Sequence, residues 1–108
     1  MAREKLEFVL NEKTKKYRWY AYAGNGEIIA YSKRSFLNQA LAELDAVELE
    51  IALDNQPIEV KRKWFQHRWK VWNTEGTKSW SSSESYWNKK ECIANHRQVL
   101  LTLAKARI

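Results

Sequence analysis

Residues 17–30 read YRWYAYAGNGEIIA, and this stretch decides the fold. Tyr17, Trp19 and Ala21 alternate with Arg18, Tyr20 and Tyr22, the period-two pattern of a strand with one buried and one open face. Aromatic side chains suit such a pleated surface. Asn25-Gly26 supplies the positive φ angles of a tight hairpin turn, and residues 28–32 return as a further strand. Upstream, Leu6, Phe8 and Leu10 alternate with Glu7 and Val9, which predicts a strand ahead of a Lys-rich turn. Downstream, Asn38 is placed to cap a helix in which Leu41, Leu44, Val47 and Ile51 follow helical spacing. Asp54-Asn55-Gln56-Pro57 ends that helix.

The same unit then recurs. Tyr17-Arg18-Trp19 returns as His67-Arg68-Trp69, Gly26 as Gly76, and Phe36-Leu37-Asn38 as Tyr86-Trp87-Asn88, all at an offset of 50. Phe8 and Leu10 match Ile58 and Val60 at that offset, and further downstream the register is expected to drift by one or two residues. Strands are expected at 58–63, 68–73 and 79–83, followed by a helix capped by Asn88 and carrying Ile93, His96, Val99, Leu100 and Leu103. The order βββα occurs twice. It predicts an α+β protein of two tandem βββα repeats with helices packed against antiparallel sheet. We read residues 1–108 as a single domain, with repeat one at 5–54 and repeat two at 55–108.

At these residues the chain resembles the YegP-like family. That family carries a repeat of about 50 residues, often in tandem, with the pattern aromatic-x-aromatic, Ala-x-Asn-Gly-Glu, then Ser and a helix. Tyr17-Arg18-Trp19, the run 23–30 and Ser32 match it well. The second copy keeps Arg68-Trp69 and Gly76 but has Thr74-Glu75 where Gly24-Asn25 stand, and its Ser83-Glu84-Ser85-Tyr86 carries about one inserted residue against the pre-helix pattern. The resemblance implies two three-stranded units joined in one antiparallel sheet about a pseudo-twofold axis, with the helices on one face. It implies no activity, because the family is functionally uncharacterised.

Composition excludes several function classes. In 108 residues, 44% hydrophobic and 30% charged, with 3 Gly and 1 Pro, the chain is globular in character and neither collagen-like nor disordered. A single cysteine, Cys92, allows no internal disulfide and no multi-cysteine metal site. The longest apolar run, around Val99 to Leu103, falls far short of the roughly 20 residues a membrane span needs, so no membrane contact is expected. No secretory pattern follows Met1-Ala2-Arg3-Glu4-Lys5, and a cytoplasmic setting is the expectation. Six Trp, five Tyr and three Phe are read first as core, because buried rings supply large apolar areas to a small domain.

Catalytic constellations are equally sparse. His96 follows Ile93 by one helical turn and reads as a packed core histidine, His67 replaces Tyr17 in the repeat, and Cys92 reads as a small buried hydrophobe. The serines at 79 to 85 position no nucleophile and read as a strand end and turn. The acids Glu43, Asp45, Glu48 and Glu50 gather on the first helix, where a solvated face explains them. Two His and one Cys lack zinc-ligand spacing, and Gly24, Gly26 and Gly76 make no phosphate loop. The expectation is a non-enzymatic protein with no cofactor and no metal.

The charge distribution is more informative. Residues 1–54 hold 8 basic and 9 acidic side chains, net −1, and residues 55–108 hold 11 basic and 4 acidic, net +7. Five of the six Trp also fall in the second half: Trp64, Trp69, Trp72, Trp80 and Trp87. By strand parity Arg18, Tyr20 and Tyr22 point away from the helices, as do Arg68, Lys70 and Trp72, with Glu59, Lys61 and Lys63 on the preceding strand. A sheet face presenting Arg18, Tyr20, Tyr22, Lys61, Lys63, Arg68, Lys70 and Trp72 is the candidate binding site. Cations track phosphates while rings stack on bases, so nucleic acid, single-stranded DNA or RNA above all, is the first expected partner. An acidic or nucleic-acid-handling protein is the alternative, in which the chain serves as an interaction module or small inhibitor. Two copies in one chain can complete by themselves what a single-repeat relative completes by pairing, which predicts a monomer.

Overall fold

A computed structural model describes residues 4–106. Along the chain run β1 (Lys5–Asn11), β2 (Lys16–Tyr22), β3 (Ile28–Tyr31), α1 (Gln39–Asn55), β4 (Glu59–Lys63), β5 (Gln66–Trp72), β6 (Ser79–Ser81) and α2 (Lys89–Ala106). Local chemistry explains the boundaries. Asn38 Oδ1 accepts from the Leu41 N–H at 2.9 Å and Asn88 Oδ1 from the Glu91 N–H at 2.8 Å, capping both helices. The Gln56 N–H closes the last turn of α1 on the Ala52 carbonyl before Pro57 prevents continuation. Asn25-Gly26 does not form a two-residue turn. Tyr22 pairs with Ile28 across a five-residue connection in which only Gly26, at φ +85°, takes positive φ, and Asn25 accepts from the Glu27 N–H through its side chain.

The strands form two separate three-stranded antiparallel sheets, β1-β2-β3 and β4-β5-β6, and not the single sheet expected. The physical reason lies where β3 meets the segment after β6. The Ser83 hydroxyl takes both backbone groups of Tyr31, accepting from its N–H at 3.0 Å and donating to its carbonyl at 3.4 Å. Asn95 donates to the Ile29 carbonyl at 3.3 Å, and the Lys33 ammonium donates to Ser81 Oγ at 2.7 Å. Side chains thus satisfy the edge that a backbone ladder would otherwise occupy.

Both helices lie against the Trp19 and Trp69 side of the sheets, and their buried residues join Trp19, Ala21, Trp69 and Val71 in one hydrophobic cluster. Each indole N–H is satisfied from a helix: Trp19 donates to Asp45 at 2.7 Å and Trp69 to Asn95 at 2.9 Å. The buried face of α1 is Ala42, Asp45, Ala46, Leu49, Ala52 and Leu53, while Leu41, Leu44 and Ile51, the larger residues at helical spacing, are exposed. The two indoles fill the layer between strands and helices, so α1 meets them with small side chains that permit close approach.

The spacing between the halves also departs from expectation. The offset of 50 holds through the helices, where Asn38 and Asn88 are both caps and Asp45 and Asn95 both bind a tryptophan. It fails upstream instead: Phe8 pairs with Trp19 and Val60 with Trp69, so Phe8 answers to Val60 and Leu6 to Ile58. The β1–β2 turn holds four residues, 12–15, and the β4–β5 turn two, Trp64 and Phe65, which accounts for the shift.

Candidate functional site

Strand parity sorts the candidate residues. Trp19, Ala21, Trp69 and Val71 face the helices and are buried, so Arg18, Tyr20, Tyr22, Arg68, Lys70 and Trp72 take the opposite face of their strands. Register aligns Glu59 with Lys70, Lys61 with Arg68, and Lys63 with Gln66 on that same open face. Lys61 and Arg68 are therefore direct cross-strand neighbours of like charge, an arrangement that costs stability unless an anion lies between them.

These residues converge on a groove of about 630 Å³ lined by Lys61, Arg62, Lys63, Arg68 and Lys70 together with Trp64, Gln66, Ser81 and Ser85, with no carboxylate among its lining residues. Glu59 sits at the margin, 3.7 Å from the Lys61 ammonium. Lys33 of the first half reaches the groove's Ser81, and burial first and the Arg68 charge second hold its ammonium below the ordinary lysine pKa. Arg68 itself donates to the Ser82 carbonyl at 3.3 Å, which fixes the guanidinium at the junction of the halves. Lys33 escaped the sequence reading because it follows a strand whose neighbour across the junction no local pattern reveals.

The remaining candidates stand in different surroundings. Trp72 lies under the Lys70 ammonium, 4.6 Å from its ring centroid. On the first half Arg18 is exposed, Tyr20 faces the Tyr31 ring at 6.0 Å, and Tyr22 has Lys5 over its ring at 4.8 Å and Glu7 as an acceptor at 3.5 Å. Arg18, Tyr20 and Tyr22 do not line the groove. The open face is thus two surfaces of different character: basic on the second half, tyrosine-rich with an acid on the first.

A second cluster was missed outright. Asp45, expected on a solvated helix face, is 4% exposed. Its carboxylate accepts from Trp19 Nε1 at 2.7 Å and Trp80 Nε1 at 3.2 Å and pairs with the Lys78 ammonium at 2.6 Å. Lys78 also lies 3.6 Å from Glu48 and 4.9 Å from the Trp80 ring centroid. Trp19, Asp45, Lys78 and Trp80 line a cleft of about 250 Å³ that runs past Tyr31, Lys33, Ser81 and Ser83 at the junction of the two sheets. With three donors on two oxygens, Asp45 has little acceptor capacity left and serves as an internal strut. The clue in the sequence was Asn95, which stands 50 residues after Asp45 and places a short polar group at the same helical position.

The titratable groups elsewhere are sequestered. Burial pushes the Cys92 thiol up, away from thiolate chemistry. The Tyr86 phenol is pushed up to about 12, by burial first and by the Glu84 charge second. His96 packs edge-on against Trp69 at 6.2 Å, and burial first, then Arg97, lowers its pKa. Among the described residues no helix is long and apolar enough to cross a membrane, and no three His, Cys, Asp or Glu side chains are grouped to hold a metal ion.

No family model and no curated protein sequence matches the chain. Among solved structures it is similar to the solution NMR structure of YegP from E. coli, a protein of unknown function. The TM-score is 0.73 at 16% identity, over 95% of this chain and 88% of that one. The architecture reached from the residues is therefore a YegP-like fold.

Proposed function

We propose that this chain, with its YegP-like fold, is a non-enzymatic nucleic-acid-binding domain that works as a monomer without a cofactor. We read it as two copies of one βββα unit, of which the second has become the binding half. The observation that carries the reading is the groove lined by Lys61, Arg62, Lys63, Arg68 and Lys70 and by no carboxylate. Such a surface holds repelling cations at close quarters, and a phosphate backbone relieves that repulsion while releasing its own counterions. Arg18, Tyr20, Tyr22 and Trp72 extend the contact along the open faces. The groove's shallow, ring-bearing form favours single-stranded DNA or RNA.

Fluorescence anisotropy with a labelled single strand, at two salt concentrations, tests this. Binding should weaken as salt rises. A Lys61→Ala, Arg68→Ala double variant should bind more weakly and with a shallower salt dependence, by about 0.7 log units per log salt for each contact removed. Salt-independent binding, or a variant equal to the wild type, sinks the reading. A protein-interaction module is the second reading, favoured by one observation: Leu41, Leu44 and Ile51 leave apolar side chains exposed on α1. Recovery of a stoichiometric protein complex without affinity for naked nucleic acid would decide for it.

A further inference from the structure

Three large rings stand in water at one end of the second half. Trp64 and Phe65, the whole of the β4–β5 turn, are 81% and 67% exposed, and Trp87 is 71% exposed. The His67–Tyr86 bridge and the Ser85–Gln66 hydrogen bond of 2.7 Å lay the segment before α2 antiparallel to the foot of that turn, which brings Trp87 level with Gln66. Rings so placed add little to the core and leave apolar area hydrated.

Trp64 carries a further cost. Its φ is +62°, in the left-handed region that bulky L residues rarely adopt. A two-residue turn with positive φ only at its first position is one that glycine favours. The same molecule contains a control. The β1–β2 turn is built from Glu12, Lys13, Thr14 and Lys15, held by Asn11 Oδ1 and by a 3.2 Å Lys15–Glu12 ion pair, with no aromatic residue. That turn is four residues long against two here, and its Lys15 also takes positive φ, +58°, so the first half reverses its chain through left-handed backbone without any aromatic residue.

We propose that Trp64, Phe65 and Trp87 form a stacking platform for unpaired bases, so that single-strand preference resides in this end of the molecule. The proposal rests on the nucleic-acid reading above and names the part of the site that tells single strand from duplex. Charge complementarity supports it: Lys61, Arg62 and Lys63 lead into Trp64, and the exposed Lys89 and Lys90 follow Trp87. Phosphates can follow the lysines while bases lie on the rings, whereas a duplex keeps its bases stacked inside and offers phosphates alone. Trp72 lies under Lys70 and Tyr20 against Tyr31, while Phe65 has the Arg62 guanidinium 5.7 Å from its ring centroid, which sets a cation beside the platform.

The test compares wild type with a Phe65→Ala, Trp87→Ala double variant, whose two rings lie outside the groove, using a labelled oligothymidine of about 16 nucleotides and a duplex of matched length. Wild type should prefer the single strand. The variant should lose about tenfold or more of its single-strand affinity, keep its duplex affinity, and melt no lower than wild type. Equal single-strand binding by a folded variant overturns the platform and leaves the groove reading standing. Absence of salt-sensitive binding by wild type to either probe overturns both. A wild-type dimer by mass that the double variant converts to monomer overturns the platform in favour of self-association.

Discussion

Asp45 and His96 show how single residues set the energetics. Asp45 is buried among two indole N–H groups and an ammonium. Asp45→Ala leaves two indole donors without their acceptor and Lys78 with Glu48 alone at 3.6 Å, and should cost about 3 kcal/mol in a urea unfolding experiment. Asp45→Asn keeps an acceptor, as Asn95 does in the other half, and should cost less. Equal costs in the two variants would mean that a neutral acceptor recovers nothing and that the carboxylate charge paired with Lys78 carries the whole effect. His96 works in the opposite sense. Both its ring nitrogens are buried without a hydrogen-bond partner among the described residues, and burial followed by the Arg97 charge lowers its pKa from an ordinary 6.5. The unfolded chain then binds more protons than the folded one between the lowered value and 6.5, so stability falls as pH drops through that window. Thermal unfolding followed from about pH 7 to about pH 5 should show this loss in wild type and a smaller loss in His96→Gln. The packing of His96 was legible from its helical spacing, and the role of Asp45 was not. An aspartate among glutamates reads as solvated until the strand opposite it is known.

At the scale of elements, α1 is the informative one. Its helical spacing and its cap were legible, and its buried face was not. The periodicity of Leu41, Leu44, Val47 and Ile51 marks one stripe, while the core takes Ala42, Ala46, Leu49, Ala52 and Leu53. Hydrophobic size is a poor guide where the partner layer is tryptophan, because Trp19 and Trp69 already fill the space. Ala46→Leu should therefore destabilise by about 1–3 kcal/mol, and Leu44→Ala, at a site 52% exposed, should change the denaturation midpoint little. Equal costs in the two would place Leu44 in a packed interface. The turns tell a related story. Asn25-Gly26 and Asn73 with Gly76 announce themselves by composition, and Gly26 and Gly76 take the positive φ expected of glycine. Trp64 does not announce itself, because no propensity assigns a tryptophan to left-handed backbone.

For the whole molecule, charge is a property of halves. The chain extends 38 × 36 × 27 Å, several times the Debye length of about 8 Å at physiological salt. A partner approaching β4 and β5 meets the half with net +7, not the overall +6. The amino-acid sequence by itself determined the α+β class, the order βββα in each half, the face each strand residue takes and the division of charge. Those are local or additive properties: strand parity, capping, glycine placement and counting survive any arrangement of the elements. The tertiary structure decided the rest. It separated the chain into two sheets, with Ser83 and Asn95 occupying the backbone groups of Tyr31 and Ile29 on the open edge of β3. It buried Asp45 and brought Lys33 to Ser81 beside the basic groove. It also left Trp64, Phe65 and Trp87 exposed. Each of these depends on contacts between residues distant along the chain, which a sequence pattern reports only after the packing is known.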